Sequence, residues 1–280
     1  MPVRFIVDNY GYRAEVQSIF YPSTIEELKN IIGNLNQTGC KFKILGNLSN
    51  TFLASKKSPL AIIRLNRGMF KDISHNGEKV KTGAGVKISE LMGYCIKYSL
   101  GGLEFLTAIP GTVGASVAGN AGAYGKKISN VVLNVDCLDY QGNLKTFDRN
   151  EIASCYKDSS LKDFIIIAVS LKINQVSPLK IKDEMRSFIS QRFVAQDLQA
   201  PSCGCFFKNP LEFKAGWIID TLGLKSKRRG DMFVSDRHAN FLVSAGNTNP
   251  EDVLSLKDVI QRRIWLQKKI WLQPEVDIVW

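Results

Sequence analysis

The chain has 280 residues, 45% of them hydrophobic and 22% charged, which is long and apolar enough for two compact units and excludes intrinsic disorder. Its formal charge of +11, from 37 basic and 26 acidic residues, points to an anionic partner: nucleic acid, a membrane surface or a phosphate-bearing ligand. The opening MPVRFIVDNYGYR meets charges before any signal-length apolar run, and no stretch reaches the ~20 apolar residues of a membrane helix, so a soluble, cytoplasmic protein is expected.

In YPSTIEELKNIIGNL, Ser23 followed by Glu26 predicts a capping box opening an amphipathic helix with Leu28, Ile31 and Ile32 on its apolar side. Strands are expected at KFKILG, LAIIRL and EKVKTGAGV, and a helix from Ser89 to Tyr98 stopped by Gly101 and Gly102. VVLNVDCLDYQGNLKTF predicts a hairpin turning near Gln141 and Gly142. DFIIIAVSLKI reads as a buried strand or a piece of core helix. NQVSPLK has the composition of a linker, and from about residue 178 the chain reads as a second domain. That domain carries the helix KDEMRSFISQRFVAQ, the stretch CFFKN, another helix and ANFLVS. Its last helix opens at Asn249 and Pro250 with Val253, Leu256, Val259, Ile260 and Ile264 at helical spacing, and EVDIV is a closing strand. Basic residues concentrate in GLKSKRRG, at Lys225, Lys227, Arg228 and Arg229, and again at Arg262, Arg263, Lys268 and Lys269, outside the apolar stripe of the last helix.

Two stretches carry chemistry. Residues 101–125, GGLEFLTAIPGTVGASVAGNAGAYG, hold seven of the chain's 22 glycines. Glycine admits positive φ and close approach of main-chain N–H groups, which together make a cradle for phosphate oxygens. The spacing fits neither the Walker lysine loop nor a G-x-G-x-x-G turn, and tight turns with close packing remain the bland reading. ILGNLSN, after a strand, offers a second small polar loop. In PSCGCFFKNP, Cys203 and Cys205 flank a glycine. Six cysteines, at 40, 95, 137, 155, 203 and 205, are too sparse for a disulfide framework. A metal site at Cys203 and Cys205 would lack a second pair, with His238 the one candidate partner; packing and a proton-donating thiol both stay open at this point.

GLEFLTAIPGTVGASVAGNAGAYG, with LGNLSN, SCGCFFKNP, AGWIIDTLGLK, VSDRHANFLV and QPEVDIV in the same order and spacing, resembles the UDP-N-acetylenolpyruvoylglucosamine reductase (MurB) family from about Pro22 to Val279. The resemblance implies an α+β fold: a two-subdomain FAD-binding domain of the PCMH/MurB-like kind over residues 1–177 (about 1–60 and 61–177), then a smaller α+β substrate-binding domain over 178–280 whose last strand returns to the flavin side. It implies a flavoprotein oxidoreductase of peptidoglycan precursor synthesis, and hence of cell wall, cell shape and division. FAD is the cofactor, NADPH the reductant and a UDP-sugar enolpyruvyl ether the substrate. No metal, nucleic acid or membrane partner is implied. Leu45, Gly46, Asn47, Leu48, Ser49 and Asn50 are expected to bind the cofactor, with Ile109, Pro110, Gly111, Thr112, Gly114, Ala115, Asn120, Gly122, Ala123 and Tyr124. Tyr156, Lys208, Asn209, Lys225 and His238 are expected to bind substrate, although the setting of His238 in RHANF also gives it a packing role.

Cys205 occupies the position of the family's proton-donating serine, and a free thiol, with a pKa of about 8.5, is the stronger acid of the two. Glu275 falls on the catalytic glutamate; a carboxyl beside a developing enolate helps when it is protonated or orients a donor. Lys157 stands where the family has arginine, keeping the charge but losing the planar fork that grips a carboxylate. Asn47 and Leu48 replace two glycines of the first loop, and the IGG run expected before Pro22 is absent. A working reductase is the reading that follows, since Cys205, Lys157 and Glu275 retain the needed chemistry. The alternative is a paralogue that binds flavin but acts on another nucleotide sugar or on none.

Overall fold

A computed structural model describes residues 4–280. They form two compact units. The central unit comprises Gln17–Asn47 and Pro59–Ser190, and the terminal unit comprises residues 4–16, Leu48–Ser58 and Gln191–Trp280. Two strands, Arg13–Phe20 and Lys57–Ile63, carry the chain across that boundary.

In the central unit, helix α1 (Ile25–Gln37) buries Leu28, Ile32 and Leu35 at helical spacing. Its cap lies one residue later than the sequence suggests. The Thr24 hydroxyl, not Ser23, accepts from Glu27 N at 3.1 Å, and the Glu27 carboxylate, not Glu26, accepts from Ser23 N at 2.7 Å. Consecutive Ser-Thr and Glu-Glu pairs satisfy the same spacing twice. The parallel strand pair Phe42–Ile44 with Ala61–Ile63 follows. The main sheet has five antiparallel strands in the order Leu144–Asp148, Val132–Leu138, Ile165–Lys172, Lys79–Gly83, Ile73–Asn76. Ile165–Lys172 lies in its middle and is buried at six of eight positions, which is why its sequence lacks the alternation of a half-exposed strand.

Helix α2 (Ile88–Lys97) ends earlier than its glycines imply. Ser99 takes the left-handed conformation, φ +60°, and Leu100–Gly101 instead pair with Asn174–Gln175, so the start of the expected linker is a short strand. Helix α3 (Val113–Ala118) forms inside the glycine passage. Leu28, Phe70, Leu91, Phe105, Val135 and Val169 belong to one core. Helix α4 (Pro178–Ala195) begins in this unit and ends in the terminal one.

The terminal unit has a four-stranded antiparallel sheet, Ser202–Cys205, Phe241–Ser244, Met232–Val234, Arg228–Arg229, with helices α5 (Ala215–Thr221) and α6 (Pro250–Lys268). Asn249 caps α6 through Oδ1, which accepts from Glu251 N at 3.1 Å, and Pro250 takes the first helical position. Val253, Leu256, Ile260 and Ile264 face a core that includes Phe52, Phe206, Phe207 and Met232. The closing strand Asp277–Val279 pairs in parallel with Thr51–Leu53.

Candidate active site

In the central unit, the carbonyl of Gly46 accepts from Arg64 Nη2 at 3.0 Å, and Asn47 Nδ2 donates to Pro110 O at 2.8 Å. A Cβ on Gly46 would lie 2.7 Å from Thr112 Oγ1, and one on Gly114 2.8 Å from the Ala84 Cβ. Both glycines therefore serve close packing of the first loop and α3 on their neighbours. Thr112 caps α3, its hydroxyl accepting from Ala115 N at 3.4 Å. The loop residues Leu45 to Asn47 and Ile109 to Ala115 are thus one assembly. Gly122 and Ala123 pair with Lys126–Lys127, and the Tyr124 hydroxyl donates to Phe188 O at 2.6 Å with the two rings stacked.

Among the described residues eight non-glycine residues have positive φ, and five are in or beside segments expected to carry the site: Leu48, Ala108, Asn120, Tyr124 and Lys157. Such conformations persist where the surroundings impose them, and they concentrate at ligand sites. Leu48, at φ +58°, stands where the family has glycine. Its backbone costs about 1–2 kcal/mol, which burial of its side chain to 7% exposure offsets by about 1.5–3 kcal/mol.

Tyr156 and Lys157 form the turn between the two-residue strands Ser154–Cys155 and Asp158–Ser159. Asn120 Nδ2 donates to Cys155 O at 2.8 Å, and Ser159 Oγ donates to Ala118 O at 2.9 Å. Both flanks of the turn are therefore tied to the end of α3, which brings the expected substrate lysine to the glycine passage. Sequence reasoning did not single out Asn120 or Ser159 for this task.

In the terminal unit, Gly204 at φ +76° marks an irregularity between Ser202 and Cys205, where the strand pairs with Val243 and Phe241. Cys203 turns into the core, donating from Sγ to Thr51 O at 3.2 Å, and burial pushes its thiol well above the usual value. Cys205 is half-buried and Phe206 and Phe207 fully so, which makes both rings core. Beyond Cys205 the chain runs against the segment before the last strand. Glu275 N donates to Phe206 O at 2.8 Å, Phe207 bridges to Pro274, and Lys208 N donates to Gln273 O at 2.8 Å. Asn50 joins this assembly, its Nδ2 donating to Glu275 O at 3.1 Å and its O accepting from Asp277 N at 2.9 Å. The backbone around Glu275 is thereby tied to the residues that directly follow Cys205.

The residue holding this arrangement is Asn240, 2% exposed, which the sequence reading passed over inside RHANF. Its Oδ1 accepts from Phe207 N at 2.9 Å, its Nδ2 donates to Phe207 O at 2.8 Å, and its O accepts from Phe206 N at 2.8 Å. Of the remaining expected substrate residues, Asn209 Oδ1 accepts from Ala215 N at the start of α5, 2.8 Å away. Lys225 pairs with Asp220 at 2.8 Å. His238 rests on Phe241, and its Nδ1 accepts from Asn240 N at 3.3 Å. Burial, with a smaller effect from the Lys225 charge, lowers its pKa, which favours the neutral ring.

Four buried side-chain polar groups have no partner among the described residues, the Tyr10 and Ser170 hydroxyls and two at the loops described above: the hydroxyl of Thr107, in the glycine passage, and Nε of Arg64, whose Nη2 holds Gly46. Unmatched buried groups are rare and call for a ligand or water. An FAD molecule, rich in acceptors, fits Thr107 and Arg64 and the strained loops around them.

Residues 16–148 match the family model of an FAD binding domain, and the fold and loops above define a flavin-dependent oxidoreductase. Residues 196–279 match that of the UDP-N-acetylenolpyruvoylglucosamine reductase C-terminal domain. The chain is 34% identical over 247 residues to the UDP-N-acetylenolpyruvoylglucosamine reductase of Halalkalibacterium halodurans, covering 86% of this chain and 82% of that one. To the enzyme of the same name from Caldanaerobacter subterraneus it is 32% identical over 271 residues, covering 96% and 88%. The crystal structure of the Thermus caldophilus reductase superposes with a TM-score of 0.81 at 30% identity, covering 100% of this chain and 99% of that one. The chain belongs to the UDP-N-acetylenolpyruvoylglucosamine reductase family.

Proposed function

We propose that this protein reduces UDP-N-acetylglucosamine enolpyruvate to UDP-N-acetylmuramate with NADPH, in the cytoplasm, as a step of peptidoglycan precursor synthesis. When bound, FAD relays hydride from NADPH to the terminal vinyl carbon of the substrate. The side chains have two further tasks. They hold the negative charge that develops on the carboxylate and its neighbouring carbon, and they protonate that carbon.

Lys157, on a turn tied down at both flanks, supplies a cation for the substrate carboxylate. Cys205 delivers the proton from its thiol, and Glu275, just before the last strand, orients the donor or the substrate. Arg64, Thr107 and the loops Leu45–Asn50 and Ile109–Tyr124 hold FAD, and Tyr156, Lys208 and Asn209 offer donors to the nucleotide sugar. We assign the cofactor role to residues 1–177 and the substrate role to 178–280, a division that falls at the start of α4. The compact units divide α4 later, between Ser190 and Gln191, and group Leu48–Ser58 with the C-terminal residues. Pairing of Asp277–Val279 with Thr51–Leu53 supports a last strand that returns toward the first cofactor loop. The charge of +11 suits a diphosphate substrate and a phosphorylated nicotinamide, so nucleic acid is not needed to account for it.

The observation that supports this reading is the backbone pairing of Phe206–Lys208, directly after Cys205, with Gln273–Glu275. The purified protein should be yellow, bleach anaerobically with NADPH, and regain colour on addition of UDP-N-acetylglucosamine enolpyruvate. Cys205→Ser should retain much of the activity, whereas Cys205→Ala should lose reoxidation by substrate and keep bleaching by NADPH. Equal loss of both half-reactions would remove the proton-donor role. A colourless protein that takes up no FAD would remove the flavoenzyme, and bleaching without reoxidation would favour a different nucleotide sugar.

A further inference from the structure

All four tryptophans of the chain lie in the terminal unit, and all are between 47% and 61% exposed, although tryptophan is among the most buried residues on average. Two of them share a built surface at the end of α6. Arg262, Trp265, Leu266 and Lys269 fall at positions i, i+3, i+4 and i+7, on one face of the helix and its cap. Trp265 is 47% and Leu266 68% exposed.

Beyond the helix the chain reverses at Lys269, φ +57°, and buried Gln261 fastens the return by donating from Nε2 to Leu272 O at 2.7 Å. Ile270 and Leu272 then point inward, so the intervening Trp271 must point outward. It lies edge-on to Trp265 at 6.4 Å. These apolar side chains are held out by the packing beneath them.

Asp258, one turn before Arg262, pairs with Lys257 at 2.7 Å, and beyond it the charge has one sign. Residues 259–273, VIQRRIWLQKKIWLQ, contain Arg262, Arg263, Lys268 and Lys269 and no acidic residue. All four cations are exposed, and none forms an ion pair with a described carboxylate. Cations at a helix C-terminus interact favourably with the helix dipole; that accounts for Lys268 and Lys269 but not for tryptophan and leucine on the same face.

We infer that this face binds the surface of an anionic lipid bilayer. Tryptophan favours the headgroup level, where its ring is apolar and its N–H stays wet, and flanking Lys and Arg attract anionic headgroups. The rings at 77° to one another form no flat platform for stacking bases, and an exposed leucine adds nothing to phosphate binding. Among the described residues no helix is long and apolar enough to cross a membrane, and the association inferred is a peripheral one. It revises the expectation that no membrane partner exists, and it does not depend on the proposed reaction.

The test is sedimentation of the FAD-loaded protein with vesicles of phosphatidylcholine alone and of phosphatidylcholine mixed with phosphatidylglycerol, with tryptophan emission recorded in parallel. Binding to the mixed vesicles only, a blue shift, and release by salt are expected. Arg262→Gln with Arg263→Gln should weaken binding roughly thirtyfold, about fivefold per cation, and Trp265→Ala with Trp271→Ala should abolish the blue shift. Flavin absorbance and NADPH bleaching should be unchanged in both variants, which shows that they fold. The inference fails if wild-type protein stays in the supernatant or if both variants bind as it does. It fails equally if random duplex DNA competes the protein off the vesicles, or if the face proves to be a contact between two copies, seen as a dimer in solution that the tryptophan variant dissolves.

Discussion

Asn240 does more for the candidate site than any residue that touches the reacting atoms. Its amide closes both main-chain groups of Phe207, and through that strand it sets where Cys205 and Glu275 stand. Asn240→Ala leaves a buried N–H and a buried C=O unmatched, at about 1–3 kcal/mol each. The urea midpoint should fall by the equivalent of about 3 kcal/mol, and a shift within error would show that the strand is held by other means.

His238 makes a different prediction. Its pKa is lowered in the folded chain, chiefly by burial, while in the unfolded chain the ring regains about 6.5. As pH falls below that value the unfolded chain takes up the proton first, so this contribution to stability is complete above about pH 6.5 and is lost as pH drops toward the folded-state value. Asp8, whose carboxyl burial pushes up, acts in the opposite sense at lower pH. Unfolding midpoints on either side of pH 6.5 should therefore differ less in His238→Gln than in the wild type, and parallel curves would clear His238 of the effect.

At the level of elements, the turn bearing Tyr156 and Lys157 is a two-strand ribbon too short to be stable alone. Its position comes from the Asn120–Cys155 and Ser159–Ala118 hydrogen bonds, which tie it to the end of α3. Ser159→Ala removes one tether, a hydrogen bond of about 1 kcal/mol, and should raise KM for the UDP-sugar about fivefold while flavin reduction by NADPH is unchanged; an unaltered KM would mean that the turn does not contact substrate. This tether is not visible in the sequence, because CYKDSS and VAGNAG are far apart along the chain. Local signals were read more successfully. Asn249-Pro250 marked the start of α6, and Gln141-Gly142 the hairpin, with Gly142 at φ +90°. They failed where two neighbours carry the same chemistry, as at Ser23-Thr24, or where serine takes a conformation usually left to glycine, as at Ser99.

On the scale of the whole molecule, the order of the motifs led to the family and the α+β architecture, because each loop keeps its spacing from the next. What it could not convey is that the terminal unit is assembled from three separate stretches of chain. Hydrophobic periodicity reports which face of an element is buried but not which partner covers it. Asn50 beside Glu275, and Asp8 accepting from Leu53 N at 3.0 Å, are joined across such separations. Neither pairing has a local signature.

The parallel ladder between Thr51–Leu53 and Asp277–Val279 also sets a timetable. During synthesis the earlier strand leaves the ribosome more than two hundred residues before its mate, which at ~5–20 residues per second is a wait of roughly ten seconds or more. Until then its N–H and C=O groups remain an open edge on which a neighbouring nascent chain could dock. The central unit can mature while translation continues, whereas the unit that carries Cys205 and Glu275 is completed only once Asp277–Val279 emerge.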